Sequence, residues 1–468
     1  MNQNIFREYD IRGIVGSDLT AETVSILARA IGTFFIRNNA KRIAVGFDAR
    51  ESSPLFRDLL VKGLNNSGCD VLDIGRVPTP VLYFAAYTEK VDGGVMITGS
   101  HNPADHNGFK ICLGHGTLFG EQIKAIKNIA LSGEFTSGGI ISSESFDLED
   151  AKPKTETADV LGKYQSQLLR RVTPGAKKLK VVVDAGNGMG GVTAVPLFRT
   201  LGYELIELFC EPDSNFPNHH PDPTVAENLQ DCIRAVKETG ADLGLAFDGD
   251  GDRIGVVDEN GRIIWGDELM ILLSREILKE NPGATVIAEV KCSNNLFADI
   301  TKNGGNAIMW KAGHSLIKAK MKETGAALAG EMSGHIFFAD RFYGFDDATY
   351  AGARVLEILS NTDSSLSQLL SDLPETFSTP ELRVECADEM KFAVVEKIAA
   401  EFAKTNEVIT IDGARIIFEN GWGLVRASNT QAILVLRFEA DSEENLKAIR
   451  QTVESRVEHF INSLTLRR

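Results

Sequence analysis

Cysteine is sparse in this chain, and its placement excludes more than its number. Cys69, Cys112, Cys210, Cys232, Cys292 and Cys386 are scattered with no CxxC pair, so neither a zinc site nor a disulfide framework is indicated and reduced thiols are expected. Long apolar runs are missing too, and nothing in the sequence is long and apolar enough to span a bilayer. Met1 to Gly13 lacks the apolar core that export requires and already carries the charged, turn-forming run Arg7-Glu8-Tyr9-Asp10-Ile11-Arg12-Gly13, so a cytoplasmic protein with no membrane partner is expected. Positive charge is also short: 49 Lys and Arg stand against 65 Asp and Glu, a net charge of −16. That balance argues against nucleic acid as a partner, because such binding draws on clustered Lys and Arg. A small anionic substrate remains possible if a local basic pocket exists, so the cations inside motifs matter more than the total.

What is present is size and a globular composition. The 468 residues exceed one ordinary core, and a typical domain size suggests roughly three or four domains. Three segments share one grammar of apolar run, helical stretch, glycine and second apolar run. The first is Ile43 to Phe47, a helix opened by Ser53-Pro54 and stopped near Gly68, then Val71 to Ile74. The second is Val181 to Asp184, a helix to about Leu201, Gly202, then Glu204 to Leu208. The third is Thr285 to Val290, a helix from near Ser293, Gly304-Gly305, then Ala307 to Trp310. Ser53 is expected to cap its helix, with Pro54 at the first helical position. The echo points to three related α/β domains, although any α/β protein alternates strand and helix.

The C-terminal part reads differently. After a connector carrying Pro374 and Pro380, a helix is expected from about Glu389 to Lys404, β runs over Ala414 to Phe418 and Ala432 to Phe438, and a polar helix from about Ser442 to Ser463. Boundaries are expected in the Gly/Ser-rich stretch Thr136 to Ser145 with its polar continuation to Lys154, and at the turn Glu259-Asn260-Gly261. The domains then cover 1–152, 153–259, 260–373 and 374–468.

Four motifs carry chemistry. Asp248-Gly249-Asp250-Gly251-Asp252-Arg253 lies between apolar runs, and three carboxylates at alternate positions can converge on one hard cation, Mg²⁺ or Ca²⁺. An EF-hand loop is the rival, with Glu259 at its twelfth position, but Arg253 stands where that loop needs glycine and the flanks read as strands. A plain acidic turn is the bland alternative, and without a cation its carboxylates would repel. In Thr98-Gly99-Ser100-His101-Asn102-Pro103 the serine follows a strand; such a serine is usually a cap or turn residue. Here Gly99 permits close approach of a phosphate, His101 adds a donor, and Asn107-Gly108-Phe109-Lys110 supplies a cation. Without an acidic triad partner nearby, Ser100 suits phosphoryl carriage better than acyl chemistry. Gly330-Glu331-Met332-Ser333-Gly334-His335 gathers groups that bond sugar hydroxyls, or is a plain turn. Arg426-Ala427-Ser428-Asn429-Thr430 gathers a guanidinium with hydroxyl and amide donors, as a phosphate clamp or an exposed hairpin loop.

Taken in this order, from Tyr9-Asp10-Ile11-Arg12-Gly13 to the Arg426 loop, the motifs resemble the α-D-phosphohexomutase superfamily, most closely its bacterial phosphomannomutase/phosphoglucomutase group. The resemblance implies a four-domain, heart-shaped monomer: three related α/β domains plus a C-terminal α+β domain around a central active-site cleft. It implies that Ser100 is the phosphoserine, with one Mg²⁺ held by its phosphate and by Asp248, Asp250 and Asp252. Arg253, Arg12 and His101 would stabilise the phosphoryl group in flight. Lys110 would be a general acid or base, needing a pKa lowered by neighbouring cations, and His335 is the other candidate for that role. Glu331 and Ser333 would hold sugar hydroxyls; Tyr9, Lys291 and His314 match further substrate positions; and Arg426, Ser428, Asn429 and Thr430 would bind the unreacting phosphate. The implied reaction interconverts mannose or glucose 1-phosphate and 6-phosphate, with hexose 1,6-bisphosphate as activator and intermediate. One departure is the Thr430-Gln431-Ala432 run, where relatives commonly have proline in the last place; its absence loosens the clamp but keeps its donors. The glucosamine type usually has Gln in place of Met332, so a phosphoglucosamine mutase is the nearest alternative. A metal-dependent sugar phosphatase and a calcium-dependent carbohydrate-binding protein lie further off, the last leaving Ser100 and Lys110 without a purpose.

Overall fold

The computed structural model describes residues 1–137, 153–428 and 432–465; most of the expected Gly/Ser-rich boundary lies outside them. Four sheets follow in sequence, and the first three share one plan. In the first, Arg42–Phe47 pairs in parallel with Asp70–Arg76 on one side and Gly93–Ile97 on the other, and Gly93–Ile97 then pairs antiparallel with His106–Leu113. In the second, Lys180–Asp184 lies between parallel Glu204–Leu208 and Leu243–Phe247, the latter pairing antiparallel with Ile254–Asp258. In the third, Thr285–Glu289 lies between parallel Asn306–Trp310 and Leu328–Gly330, the latter pairing antiparallel with Ile336–Phe338. The threefold echo in the sequence is therefore a repeated topology. Helices cover these sheets, so their central strands are near-continuous apolar runs, as in fully buried Val181, Val182 and Val183.

The fourth sheet is antiparallel, built around Ile433–Ala440, Gly421–Ala427 and Ala414–Phe418. Helices Asp388–Phe402 and Glu443–Thr465 supply Val394, Ile398 and Val453 to its core. The fold is thus three related α/β domains and an α+β fourth, as the sequence indicates.

The cores join the units unequally. Ile11, Phe35, Phe56 and Phe109 belong to a core of the first domain alone. A larger one runs from Leu82 and Phe84 through Phe198, Phe247 and Met270 to Phe338 and Tyr350, welding the second and third domains to the helix Thr79–Thr88. The fourth domain docks through cations. Buried Arg415 stacks over Trp422 at 3.7 Å and donates to Val290 O, to Cys292 O at 2.8 Å and to Asn294 Oδ1 at 2.6 Å. Arg437 donates to Lys291 O.

Several local readings need correction. Ser53 does not cap its helix: Ser52 holds the N-cap position, and the Ser53 hydroxyl donates to Asp48 Oδ1 at 2.6 Å. Gly68 does end that helix, in a left-handed conformation at φ 101°. Arg426 is not in a free loop but near the end of strand Gly421–Ala427. The glycines of Gly421-Trp422-Gly423 hide that strand from a propensity reading, yet a Cβ on Gly423 would stand 2.9 Å from the Phe438 ring, so the sheet requires the small residue. The first sheet takes in Thr155–Thr157 beyond the expected boundary at 152, and the second takes in Ile263–Ile264 beyond 259. In both cases a short pairing across the sheet edge outweighs the polar, turn-like local sequence.

Candidate active site

The repeated topology places the chemical motifs in equivalent turns. Thr98 to Asp105, Asp248 to Arg253 and Glu331 to His335 each join the third strand of a domain's core to its antiparallel neighbour. They lie at the carboxyl ends of parallel strands, where open α/β sheets present their ligand sites. Two of these turns touch. A Cβ on Gly249 would lie 2.3 Å from Ser100 O, and a Cβ on Gly334 2.3 Å from Ile254 O, so these glycines permit the approach of neighbouring backbones.

Ser100 is buried, 2% exposed, with φ at +49°, a left-handed conformation uncommon outside glycine. Its amide donates to Thr98 Oγ1 at 2.8 Å and its hydroxyl to Asp248 Oδ2 at 3.1 Å, while Oγ also lies 3.1 Å from His101 Nδ1. Burial, then the Arg253 and Arg12 guanidinium groups, hold the His101 imidazole well below its usual pKa. Arg12 reaches the loop by donating to Asn102 Oδ1 at 3.0 Å and is itself held by Asp10 at 2.6 Å.

Asp248, Asp250 and Asp252 are fully buried, and their donor atoms lie within 4.8 Å of one another. Asp248 Oδ1 closes the turn by accepting from the Asp252 and Arg253 amides. Burial and the two neighbouring carboxylates push Asp248 well above the ordinary carboxylate range. Asp250 Oδ2 accepts from Thr79 Oγ1 at 2.5 Å, and Lys110 Nζ donates to Asp250 at 2.7 Å and Asp252 at 2.5 Å. The other oxygens, Asp250 Oδ1 and Asp252 Oδ1, are buried without a hydrogen-bond partner. A buried orphan carboxylate oxygen is costly, and two beside Asp248 and Ser100 fit a hard, oxygen-seeking divalent cation. Lys110 departs from the expected lowered pKa. Burial favours the neutral amine, but Asp250, Asp252 and Asp248 outweigh it and the net shift is upward. Its nearest charges are carboxylates, not cations.

Arg253 donates through Nε to His335 Nε2 at 2.9 Å, while His335 Nδ1 lies 2.9 Å from Asp346 Oδ2. His314 stacks on His335 with centroids 5.7 Å apart and meets Lys318 Nζ through Nδ1 at 3.1 Å. Burial, then Lys318, holds the His314 imidazole well below its usual pKa. Glu331 accepts from the Gly313 amide at 2.5 Å and lies 3.5 Å from Ser333 Oγ. Tyr9 donates to Ala312 O at 3.2 Å, which ties the first domain to the Lys311-to-His314 segment. Lys291 Nζ bonds Glu381 at 2.5 Å and lies 3.3 Å from Glu289. Arg426 Nε donates to Asp412 Oδ2 at 2.7 Å, and the same oxygen accepts from the Ala312 amide at 3.0 Å. Buried Ser428 follows at the strand end, while Asn429, Thr430 and the Thr430-to-Ala432 departure lie wholly or partly outside the described residues.

Sequence reading missed the supports of this site: Asp48 and Arg50 beneath the serine loop, Asp346 behind His335, and Asp412 between the clamp and the Ala312 amide. Asp48 directly follows the apolar run ending at Phe47, the one sequence signal that could have pointed to it, while Asp346 lies in the two-residue strand Phe345–Asp346 that the sequence does not show. Asp412 gave none.

Four family models describing phosphoglucomutase/phosphomannomutase match in order. Alpha/beta/alpha domain I matches residues 3–137, domain II 163–261, domain III 265–377 and the C-terminal domain 381–455. The chain is 50% identical over 456 residues to a phosphomannomutase/phosphoglucomutase of Pseudomonas putida, covering 97% of this chain and 95% of that one. It is 48% identical over 463 residues to that of Pseudomonas aeruginosa, covering 98% and 97%. A crystal structure of a phosphoglucomutase/phosphomannomutase family protein from Burkholderia thailandensis superimposes with a TM-score of 0.91 at 43% identity, covering 98% of each chain.

Proposed function

This chain belongs to the phosphoglucomutase/phosphomannomutase family, and from that premise we propose that it moves phosphate between the 1- and 6-positions of mannose and glucose phosphates through a phosphorylated Ser100. The observation that carries the reading is the buried Ser100 hydroxyl bonded at 3.1 Å to a carboxylate of the acidic cluster, with orphan carboxylate oxygens beside it. A hydroxyl so placed can carry a phosphoryl group next to a cation.

Phospho-Ser100 gives its phosphoryl group to the free 6-hydroxyl of a hexose 1-phosphate. The sugar O–P bond forms as the serine O–P bond breaks, the 6-hydroxyl giving up its proton and the freed serine oxygen taking one up. The product is hexose 1,6-bisphosphate, which turns over in the cleft and returns its 1-phosphate to Ser100. A trace of bisphosphate therefore primes enzyme that has lost its phosphate. Asp248, Asp250 and Asp252 would hold a divalent cation, Mg²⁺, which would supply charge neutralisation at the phosphoryl group. Arg12, His101 and Arg253 surround the same group. Lys110, bonded to Asp250 and Asp252, or His335 moves the proton of the reacting hydroxyl. Glu331, Ser333, Lys291, His314 and Tyr9 orient the sugar, and Arg426, Ser428, Asn429 and Thr430 grip the phosphate that does not react. Free cysteines agree with a cytoplasmic location, and no described helix is long and apolar enough to cross a membrane.

The test uses mannose 1-phosphate and, separately, glucose 1-phosphate with Mg²⁺ and a trace of hexose 1,6-bisphosphate, comparing wild type with Ser100→Ala. Formation of 6-phosphates that collapses in the variant supports the mutase. Turnover of glucosamine phosphate alone moves the assignment to that sugar, and release of inorganic phosphate alone refutes the mutase.

A further inference from the structure

Arg50 has no part in the cycle above, yet it makes more contacts to the serine loop than any of the residues assigned to it. It is 2% exposed. Its Nη2 donates to Ser100 O at 2.8 Å and Asn102 O at 2.6 Å, and its Nη1 to Pro103 O at 2.5 Å and His106 O at 2.9 Å. Its Nε lies 3.2 Å from Asp48 Oδ2, and that carboxylate in turn accepts from the Gly99 amide at 3.2 Å and the Arg50 amide at 3.0 Å. Phe216, from the second domain, covers the guanidinium at 5.3 Å. One planar cation thus spans the loop from Ser100 to His106, and its counter-ion fixes the residue before the serine.

We propose that Arg50, seated by Asp48, is a positioning residue for phosphoryl transfer: it holds the Ser100 backbone in its left-handed conformation so that Oγ faces the acidic cluster. The left-handed conformation is unfavourable for a serine and persists only where surrounding bonds over-determine it. Here the bond from Arg50 to Ser100 O fixes one side of the peptide and the bond from the Ser100 amide to Thr98 fixes the other. The two Nη groups of one rigid plane serve four carbonyls while Nε faces the Asp48 carboxylate; a lysine has three donors at one point and cannot span them. Gly99 fits the same account, since its Cβ would lie 2.5 Å from the guanidinium carbon and Nε. Arg50 bonds backbone oxygens of the loop rather than the reacting oxygen, so it acts through the loop.

The inference rests on Ser100 carrying the phosphate, and its test separates the two. Full-length wild type, Arg50→Lys and Gly99→Ala are compared for kcat and KM on glucose 1-phosphate, for melting temperature, and for the single-turnover rate at which hexose 1,6-bisphosphate phosphorylates Ser100, read by intact mass. A reacting atom displaced by an ångström loses roughly 10²-fold in rate. The expected result is therefore a fall of about that size in both kcat and the phosphorylation rate, with KM within about threefold of wild type. Gly99→Ala removes no charge and should give the same signature, which keeps the test intact if Arg50→Lys fails to fold. Variants that melt earlier but phosphorylate at the wild-type rate, or that raise KM alone, overturn the positioning role. Wild type that takes no phosphate on Ser100 removes the phosphoserine reading itself.

Discussion

Gly249→Ala is a one-methyl test of whether the serine loop and the acidic turn must touch. Gly249 does not have a positive φ, so alanine meets no backbone strain there, but its Cβ would lie 2.3 Å from Ser100 O and 3.1 Å from Ser100 C. Ordinary carbon-to-oxygen contacts begin at about 3.3 Å, so the two turns must part by about 1 Å at the point where Ser100 Oγ meets Asp248. Neither neighbour is a pliable side-chain tip; both are backbone held by hydrogen bonds. A misplacement of that size costs roughly 10²-fold, about 2.7 kcal/mol of activation energy at 1.36 kcal/mol per tenfold. Steady-state kcat with saturating sugar phosphate and Mg²⁺ should fall by that factor, and the Mg²⁺ concentration for half-maximal activity should rise. Gly251→Ala is the control. Gly251 has φ +76° and its Cβ would meet Pro78 at 3.2 Å, so it should lose about 1–2 kcal/mol of stability to backbone strain without pushing on Ser100. Gly249→Ala with kcat within threefold of wild type and an unchanged metal requirement would refute the claim that this contact sets the distance from serine to metal.

Chelation should abolish turnover, with Mg²⁺ restoring it; the metal should also raise the melting temperature of wild type, by mass action on the folded state, but not that of Asp250→Asn, measurable by scanning calorimetry. Arg426→Ala should raise KM about 10- to 100-fold, as expected for losing a charge-assisted hydrogen bond of about 1.5–3 kcal/mol, with a smaller effect on kcat; an unchanged KM would place the clamp elsewhere. Asp347 supplies a pH dependence. Burial raises its pKa to about 7 despite bonds from the Tyr350 amide and Tyr164 hydroxyl. Its folded pKa lies above the unfolded one, so its contribution is fully present below about pH 4 and is lost as pH rises toward 7. Denaturant titrations should show wild type losing stability relative to Asp347→Asn across that window at up to about 1.4 kcal/mol per pH unit, and parallel curves would refute the assignment.

The legible part of the structure was the part encoded locally. Strand, helix, glycine and strand recur with spacings that survive in one sequence, so the three related domains could be read from Ile43, Val181 and Thr285 onward. The motif loops could be located because carboxylates alternating with glycine, or a serine beside His-Asn-Pro after an apolar run, mark turns at strand ends, while the roles expected there came from the resemblance. The supports were not, because their meaning is a contact between distant segments. Arg50 precedes the serine loop by fifty residues and meets it only after Gly93–Ile97 lies beside Arg42–Phe47. The sign of the Lys110 shift failed for the same reason. Sequence showed arginines and a histidine around the serine, but strand His106–Leu113 carries Lys110 across the domain boundary to Asp250 and Asp252.

The repeated topology also explains how one site takes three kinds of chemistry. Each α/β domain ends its parallel strands in the same turn, and the shared core of the second and third domains fixes two of those turns against each other through Ile254 and Gly334. The serine turn belongs to a domain with a core of its own, which also gives Met96, Cys112 and helix Thr79–Thr88 to the shared core, and the turn meets the acidic turn through the glycine contact at Gly249 and the polar bonds of Ser100, Thr79 and Lys110. Ser100 itself is therefore tied to the acidic turn by a few directional bonds around a bare backbone contact. Such a joint is sensitive to one methyl group or to the charge on a phosphate, whereas the apolar core shared by the three α/β domains is far less so. Changes in the phosphorylation state of Ser100 should thus register first in the serine turn itself, with amide hydrogen exchange rising or falling in Thr98 to Lys110 while Phe247 and Phe338 in the shared core stay protected.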